Sequence, residues 1–145
     1  GMAVLVQVMV PADAAGVADY LSWAAALGVE EVCFKELYVS TSTESLYFDR
    51  AANVWSREHQ VSLSVVTRFA EQHGLEPASR LPWGAPVYRG SWDGQPMRIA
   101  AYTEPSLLWE RTSGIARSWN VMADGRCYAS LEDRASEIVP EGAAA

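Results

Sequence analysis

The sequence predicts an α/β (α+β) fold in which a short βαβ unit with parallel strands is followed by antiparallel hairpins. Two observations within the 145 residues carry this prediction. Near the beginning, two short apolar runs flank an amphipathic helical pattern, and strands that are joined through a helix pair in parallel. Further along, two Asp-Gly dipeptides stand between β-rich arms, which is the strongest local signal for a hairpin.

The first half contains the βαβ unit. Leu5–Val10 is an apolar run typical of a buried strand. Residues 14–27 place their apolar side chains on one helical stripe, with Asp13 positioned to cap the start and Gly28 to end the helix. Residues 31–39 complete the unit as a second strand, which we expect to be parallel to the first.

The second half is rich in turn signals. A helix is predicted over 62–74, after a polar and aromatic stretch. Asp93–Gly94 and Asp124–Gly125 then mark two hairpins, and the pattern of 106–114 between them predicts a short helix. Two parallel strands alone make a sheet too narrow to bury both faces, which is unusual for a βαβ unit.

The expected organisation is a single structural domain, because the chain has the length of one. Residues 1–3 are interpreted as an expression scar and start, since a glycine precedes Met2. A βαβα segment is expected over 4–74, with a hairpin-rich segment over 75–134 packed on it. Residues 135–145 end in alanines and are expected to form a flexible tail.

Composition and charge exclude several functions. Eleven basic against eighteen acidic residues give a net charge of −7, which repels phosphate backbones, so we expect no nucleic-acid partner. No apolar run reaches the roughly 18 residues of a membrane span, so no membrane association is predicted. With Cys33 and Cys127 as its two cysteines, the chain is expected to be a reduced, cytoplasmic protein.

Two opposite charges, Lys35 and Glu36, interrupt the predicted second strand halfway along it. Burying either side chain without a partner would cost several kcal/mol, so each needs an ion pair, a ligand or access to water. Ligands of parallel α/β sheets bind beyond the carboxyl ends of the strands, where these residues lie. The alternative is a structural Lys–Glu pairing with neighbouring segments at a solvent-facing strand end.

Other candidate chemistry is sparse. His59 is a possible general base if Glu58 or Asp49 converges on it, which would indicate an autonomous hydrolase. No catalytic residue is assigned on this basis, since no phosphate-binding loop and no nucleophile motif is present. No metal site is predicted either, because ligand spacing is lacking among Cys33, His59, His73 and Cys127.

Aromatic residues are concentrated in the hairpin half. Tryptophan is expensive to expose, so this half either packs heavily on the rest or forms a ligand or partner surface. The residues concerned are Trp83, Trp92, Trp109, Trp119, Tyr88, Tyr102 and Tyr128.

Two stretches carry a family resemblance. "LGVEEVCFKELYVS" resembles a late strand of the barrel of radical S-adenosylmethionine (radical SAM) enzymes. "RSWNVMADGRCYASLEDR" resembles the hairpin in which such proteins often finish after the barrel. The order of the segments over 4–134 is similar to the C-terminal part of such an enzyme.

The resemblance implies the end of a partial (β/α) barrel without its cluster-binding half. The Cys-x-x-x-Cys-x-x-Cys loop of the family is absent, and the late-strand pattern that packs on adenine is not recognisable in "VQVMVPAD". No cofactor is therefore expected in this chain. S-adenosylmethionine and a [4Fe–4S] cluster are implied only for a full-length family member.

The implied function is the barrel-closing, substrate-side portion of a radical SAM enzyme, inactive by itself. Lys35 and Glu36 would line the reaction chamber, and Ser40 would begin a loop over a small-molecule or peptide substrate. Arg117 and the hairpin over 118–131 would close the open side.

A second class of protein fits the same sequence. The chain is alternatively a self-contained α+β binding or dimerisation module with an aromatic ligand surface. In either class, an apolar sheet edge at Leu5–Val10 predicts pairing with a second copy of the chain as a homodimer.

Overall fold

The structure, a computed structural model, describes residues 4–7, 9–115, 118–130 and 132–139. The chain forms two compact units. The sheet unit comprises 1–39 and 56–104, and the hairpin unit comprises 40–55 and 105–145. This division does not follow the expected boundary after residue 74, and the single domain stays a prediction. In the described ranges, no helix is long and apolar enough to cross a bilayer.

The sheet unit is built on a five-stranded mixed sheet, which confirms the predicted α+β class. In spatial order the strands are β1, β2, β5, β4 and β3. β1, β2 and β5 are mutually parallel, as predicted for β1 and β2, whereas β4 is antiparallel to both β5 and β3. The sheet is open and does not close into a barrel. The strands are Val4–Gln7 (β1), Glu31–Lys35 (β2), Glu76–Arg80 (β3), Pro86–Trp92 (β4) and Gln95–Tyr102 (β5).

The sheet unit contains helices α1, Ala14–Ala26, and α3, Ser64–Gln72. A further helix, α2, Ala51–His59, begins in the hairpin unit and ends in the sheet unit. α1 begins as expected, because the Asp13 side chain accepts a hydrogen bond from the Gly16 amide at 2.9 Å. Both α1 and α3 contribute to the core, in which Val32 and Phe34 of β2 and Ile99 of β5 are fully buried. The two core helices therefore cover the same face of the sheet.

Neither β3 nor α2 was predicted, and two strands are shorter than expected, of which β1 is Val4–Gln7 rather than Leu5–Val10. β3 has only exposed residues, so no apolar alternation marks it in the sequence. α2 lies in the stretch described from the sequence only as polar and aromatic, and among its residues only Asn53 is buried, so no apolar stripe marks it. β2 ends at Lys35 rather than at residue 39, although the Glu36 amide still donates to the Tyr102 carbonyl oxygen at 2.9 Å.

The first Asp-Gly hairpin joins β4 to β5 through Asp93 and Gly94, as predicted. Both residues have positive φ, 48° and 77°, which is the conformation that tight two-residue hairpin turns require. Gly90 lies inside β4, where a Cβ atom would come within 2.4 Å of the Leu75 side chain. Glycine in this strand thus admits Leu75 to the core.

The hairpin unit contains α4, Leu107–Ser113, and a two-stranded sheet of β6, Asn120–Val121, and β7, Cys127–Tyr128. The predicted short helix and second hairpin are thereby confirmed. A short 3₁₀ helix, Arg134–Ser136, follows, after which the Ile138 amide donates to the Cys127 carbonyl oxygen at 2.7 Å.

Candidate functional site

The face of the sheet that α1 and α3 do not cover is chemically different from the core face. Because side chains alternate along a strand, every second residue of β2 and β5 points to this second face. The parallel register places these residues in side-by-side pairs, and none of them belongs to the core cluster. The pairs are Glu31 with Arg98, Cys33 with Ala100, and Lys35 with Tyr102.

The carboxyl end of this second face carries an interacting set of side chains, here called the edge cluster: Lys35, Trp83, Tyr102 and Glu104. The Lys35 ammonium lies 2.5 Å from Glu104 Oε1, and the Tyr102 hydroxyl donates to Glu104 Oε2 at 3.4 Å. Lys35 Nζ is also 5.6 Å from the centroid of the Tyr102 ring. Trp83 meets that ring edge-on, with centroids 5.3 Å apart.

Burial distinguishes the two members of the ion pair. The Glu104 side chain is 9% exposed, whereas the Lys35 side chain keeps 33% exposure. The buried Glu104 carboxylate and the adjacent Tyr102 ring thus hold the Lys35 ammonium group in place at the edge of the sheet. Such an arrangement can hold a ligand carboxylate or stabilise negative charge that develops in a reaction.

Glu36 points away from this cluster. Its Oε1 accepts a hydrogen bond from the Leu63 amide at 3.4 Å, and Leu63 is the N-cap residue of α3. A carboxylate at this position interacts favourably with the positive end of the helix dipole. The opposite charges of Lys35 and Glu36 therefore have separate partners on opposite faces. Whether Glu36 also lines a substrate site stays a prediction.

Ser40 belongs to a buried polar cluster in the hairpin unit. Its hydroxyl donates to Glu132 Oε2 at 2.8 Å, and its amide donates to Asn53 Oδ1, also at 2.8 Å. Ser40, Asn53 and Glu132 are 1%, 7% and 8% exposed. This cluster gives Ser40 a structural role, and its binding of substrate stays a prediction.

The buried carboxyl group of Glu132 predicts a pH dependence of stability. Burial raises the pKa of Glu132 above its ordinary value. The unfolded chain loses this proton near pH 4.3, whereas the native state keeps it up to a higher pH. The free energy of unfolding that this carboxyl group contributes therefore falls as the pH rises from that value to the native pKa. Glu132→Gln should accept the same hydrogen bond without ionising. We expect the variant to lose less stability than the wild type between pH 4 and 7 in urea titrations.

The control for that experiment is Glu30→Gln, which removes a carboxylate from an exposed position. If Glu132→Gln and the wild type show parallel pH profiles, then the Glu132 carboxyl group is not the source of the dependence.

The remaining predicted site residues are distributed as follows. Arg117 lies outside the described residues, so its role stays a prediction. Glu58 and His59 are exposed in the last turn of α2, and Asp49 is exposed in the hairpin unit. No group of three potential metal ligands occurs in the described ranges.

Sequence reasoning missed Glu104 and did not assign Tyr102 and Trp83 to a site. The available signal was "IAAYTEP", in which an apolar strand ends in polar residues as "VCFKE" does. The aromatic residues do not act as one group. Trp92 packs on Phe69, with ring centroids 5.1 Å apart, and its indole nitrogen donates to Ser22 Oγ at 2.9 Å.

Comparisons with known proteins returned no family model, no curated protein and no solved structure that matches this chain.

Proposed function

We propose that this chain is the substrate-side, barrel-closing portion of a radical SAM enzyme and is inactive without the cluster-binding portion. The observation that carries the proposal is the one-sided coverage of the parallel strands. Helices α1 and α3 both pack on the face of the sheet to which Phe34 points, while the opposite face carries Cys33, Lys35 and Tyr102. A (β/α) barrel has this distribution, with helices outside and the reacting side chains inside and at the carboxyl ends of the strands.

The edge cluster supports the same proposal. Lys35 and Tyr102 end two adjacent parallel strands, and Glu104 follows directly after the second. In the assembled enzyme, the Lys35 ammonium orients an anionic group of a small-molecule or peptide substrate. Glu104 holds that ammonium in position, and Tyr102 with Trp83 forms an aromatic wall beside it.

The proposal assigns S-adenosylmethionine and the [4Fe–4S] cluster to the missing portion. The chain's two cysteines, Cys33 and Cys127, are free thiols far apart in sequence. A cytoplasmic location is part of the proposal, because free thiols and iron–sulfur clusters both persist in a reducing compartment.

Cys33 provides a direct test, because it lies on the second face beside Lys35. The experiment uses the full chain carrying Cys127→Ser, so that Cys33 is the single thiol. Maleimide labelling of Cys33 is followed alone and after adding the separately expressed polypeptide encoded immediately upstream. We expect the upstream polypeptide to contain the three-cysteine loop, to bind this chain and to protect Cys33 strongly from labelling.

The control is Cys33→Ser combined with Cys127→Ser, which should not be labelled at all. An upstream sequence without the three-cysteine loop, or a complex in which Cys33 reacts at an unchanged rate, would falsify the proposal. Absorbance near 400 nm after anaerobic iron–sulfide reconstitution should develop in the upstream polypeptide and not in this chain alone.

The dimerisation module is the second candidate, and one observation favours it. Among the described residues, β1 pairs with β2 only and is an edge of the sheet, and Val4 is 45% exposed. Edge strands of this kind pair with further strands, here those of a second copy. Light scattering on size-exclusion fractions should then show a concentration-dependent dimer that Val4→Lys, at an exposed position of the edge strand, abolishes. A monomer at high concentration contradicts this candidate and also the homodimer expected of the isolated barrel portion, whereas the Cys33 labelling experiment tests the barrel proposal separately.

A further inference from the structure

The hairpin unit contains a cavity of about 430 Å³ that is separate from the edge cluster. This volume is within the range of small-ligand sites, which begins at roughly 300 Å³. Tyr47 and Leu46 form part of its wall, and the β6–β7 hairpin contributes Met122, Arg126 and Tyr128. The cavity therefore combines apolar walls with a guanidinium group.

The two arginines of the hairpin unit with ion pairs in the structure differ in how tightly they are held. Arg111 makes close contacts, 2.8 Å to Asp133 and 3.0 Å to Glu44. Within the described part of the chain, Arg126 lies near carboxylate oxygens of Asp124 and Glu137, at 3.6 and 3.8 Å. Charge-assisted N–H···O bonds are typically about 2.7–2.9 Å long. Arg126 thus has charge compensation without a short carboxylate contact, and its side chain is 60% exposed.

The signs of the charges restrict the class of ligand. Arg126 attracts a carboxylate, but Asp124 and Glu137 within 4 Å of it disfavour a simple anion such as phosphate. A ligand that brings its own cation removes this conflict, because an ammonium group can pair with Asp124 or Glu137 while a carboxylate pairs with Arg126. Leu46, Tyr47 and Met122 then provide contacts for an apolar side chain.

We propose that this cavity binds a free zwitterionic amino acid with a large apolar or aromatic side chain. Arg126 binds the carboxylate, Asp124 and Glu137 bind the ammonium group, and Tyr47 contacts the side chain. This site is independent of the barrel proposal, because every residue that forms it belongs to the hairpin unit.

Three probes that share one phenyl ring separate the contributions. The full chain, labelled with ¹⁵N, is titrated with L-phenylalanine, with 3-phenylpropionate, which lacks the ammonium group, and with phenethylamine, which lacks the carboxylate. We expect L-phenylalanine to shift amide signals of residues 122–128 and to bind about tenfold more tightly than either analogue, as expected for one charged hydrogen bond.

Two substitutions should act in opposite directions. Arg126→Gln should weaken the binding of L-phenylalanine about tenfold and, because it removes a like charge, should strengthen the binding of phenethylamine. Asp124→Asn keeps the side-chain oxygen that accepts a hydrogen bond from the Arg126 backbone amide, but it removes the negative charge. It should therefore weaken the binding of phenethylamine and strengthen the binding of 3-phenylpropionate. Arg89→Gln, at an exposed position in β4, is the matched control. No shift at millimolar L-phenylalanine, equal binding of all three probes, or equal effects of both substitutions on every probe overturns the proposal.

Discussion

Phe34→Ala should destabilise the sheet unit by about 3–5 kcal/mol, the cost of deleting a fully buried phenylalanine. The Phe34 side chain is 0% exposed and meets the Tyr20 ring edge-on, with centroids 5.6 Å apart. Because β2 lies between β1 and β5, the cavity would loosen the contact of α1 with the centre of the sheet. The measurement is the free energy of unfolding from urea titrations followed by circular dichroism and by tryptophan fluorescence.

Cys33→Ala is the matched control, because it changes the adjacent residue of the same strand on the opposite face. Cys33 is only half-buried and lies outside the core cluster, so we expect a loss of less than about 1.5 kcal/mol. Equal losses for the two variants would mean that both faces are packed alike, which contradicts the one-sided coverage on which the proposed function depends.

Asn53→Ala should destabilise the hairpin unit by about 3 kcal/mol, because it leaves several buried polar groups unsatisfied at once. The Asn53 amide group accepts from the Ser40 amide at 2.8 Å and donates to the carbonyl oxygens of Ser40 and Phe48 at 3.1 and 2.9 Å. Hydrogen exchange should show early deprotection of the segment 40–48. Exchange in β2 should not change to the same extent.

The control is Val54→Ala in the next position of α2. Val54 is 41% exposed, so its substitution removes little buried surface and keeps the helix. If Asn53→Ala exchanges no faster than Val54→Ala over 40–48, the side chain of Asn53 does not hold that segment in place.

The local structure was predictable from the sequence where a local signal exists. Asp13 and Gly28 mark the two ends of α1 within about one residue, and Asp93–Gly94 determines a hairpin turn. Each of these signals acts over a few neighbouring residues. The same is true of Ser106, whose side chain accepts from the Trp109 amide at the start of α4.

The candidate site was only half predictable, because its partners come from distant parts of the chain. Lys35 was identified as a strand-end charge, but its partner Glu104 lies beyond β5, and no local pattern shows that β5 pairs with β2. Ser40 was expected to begin a loop over the substrate. It is buried because Glu132, 92 positions away, and Asn53 satisfy its polar groups.

The position of β5 has a consequence for biosynthesis. This strand lies in the middle of the sheet, between β2 and β4, yet it is the last of the five to leave the ribosome. After β1 and β2 are synthesised, more than half of the remaining chain must be translated before β5, the second neighbour of β2, is available to pair with it. Contacts between residues so far apart in the sequence form slowly. Until then the side of β2 that β5 covers stays unpaired, so the nascent βαβ segment presents an open strand edge.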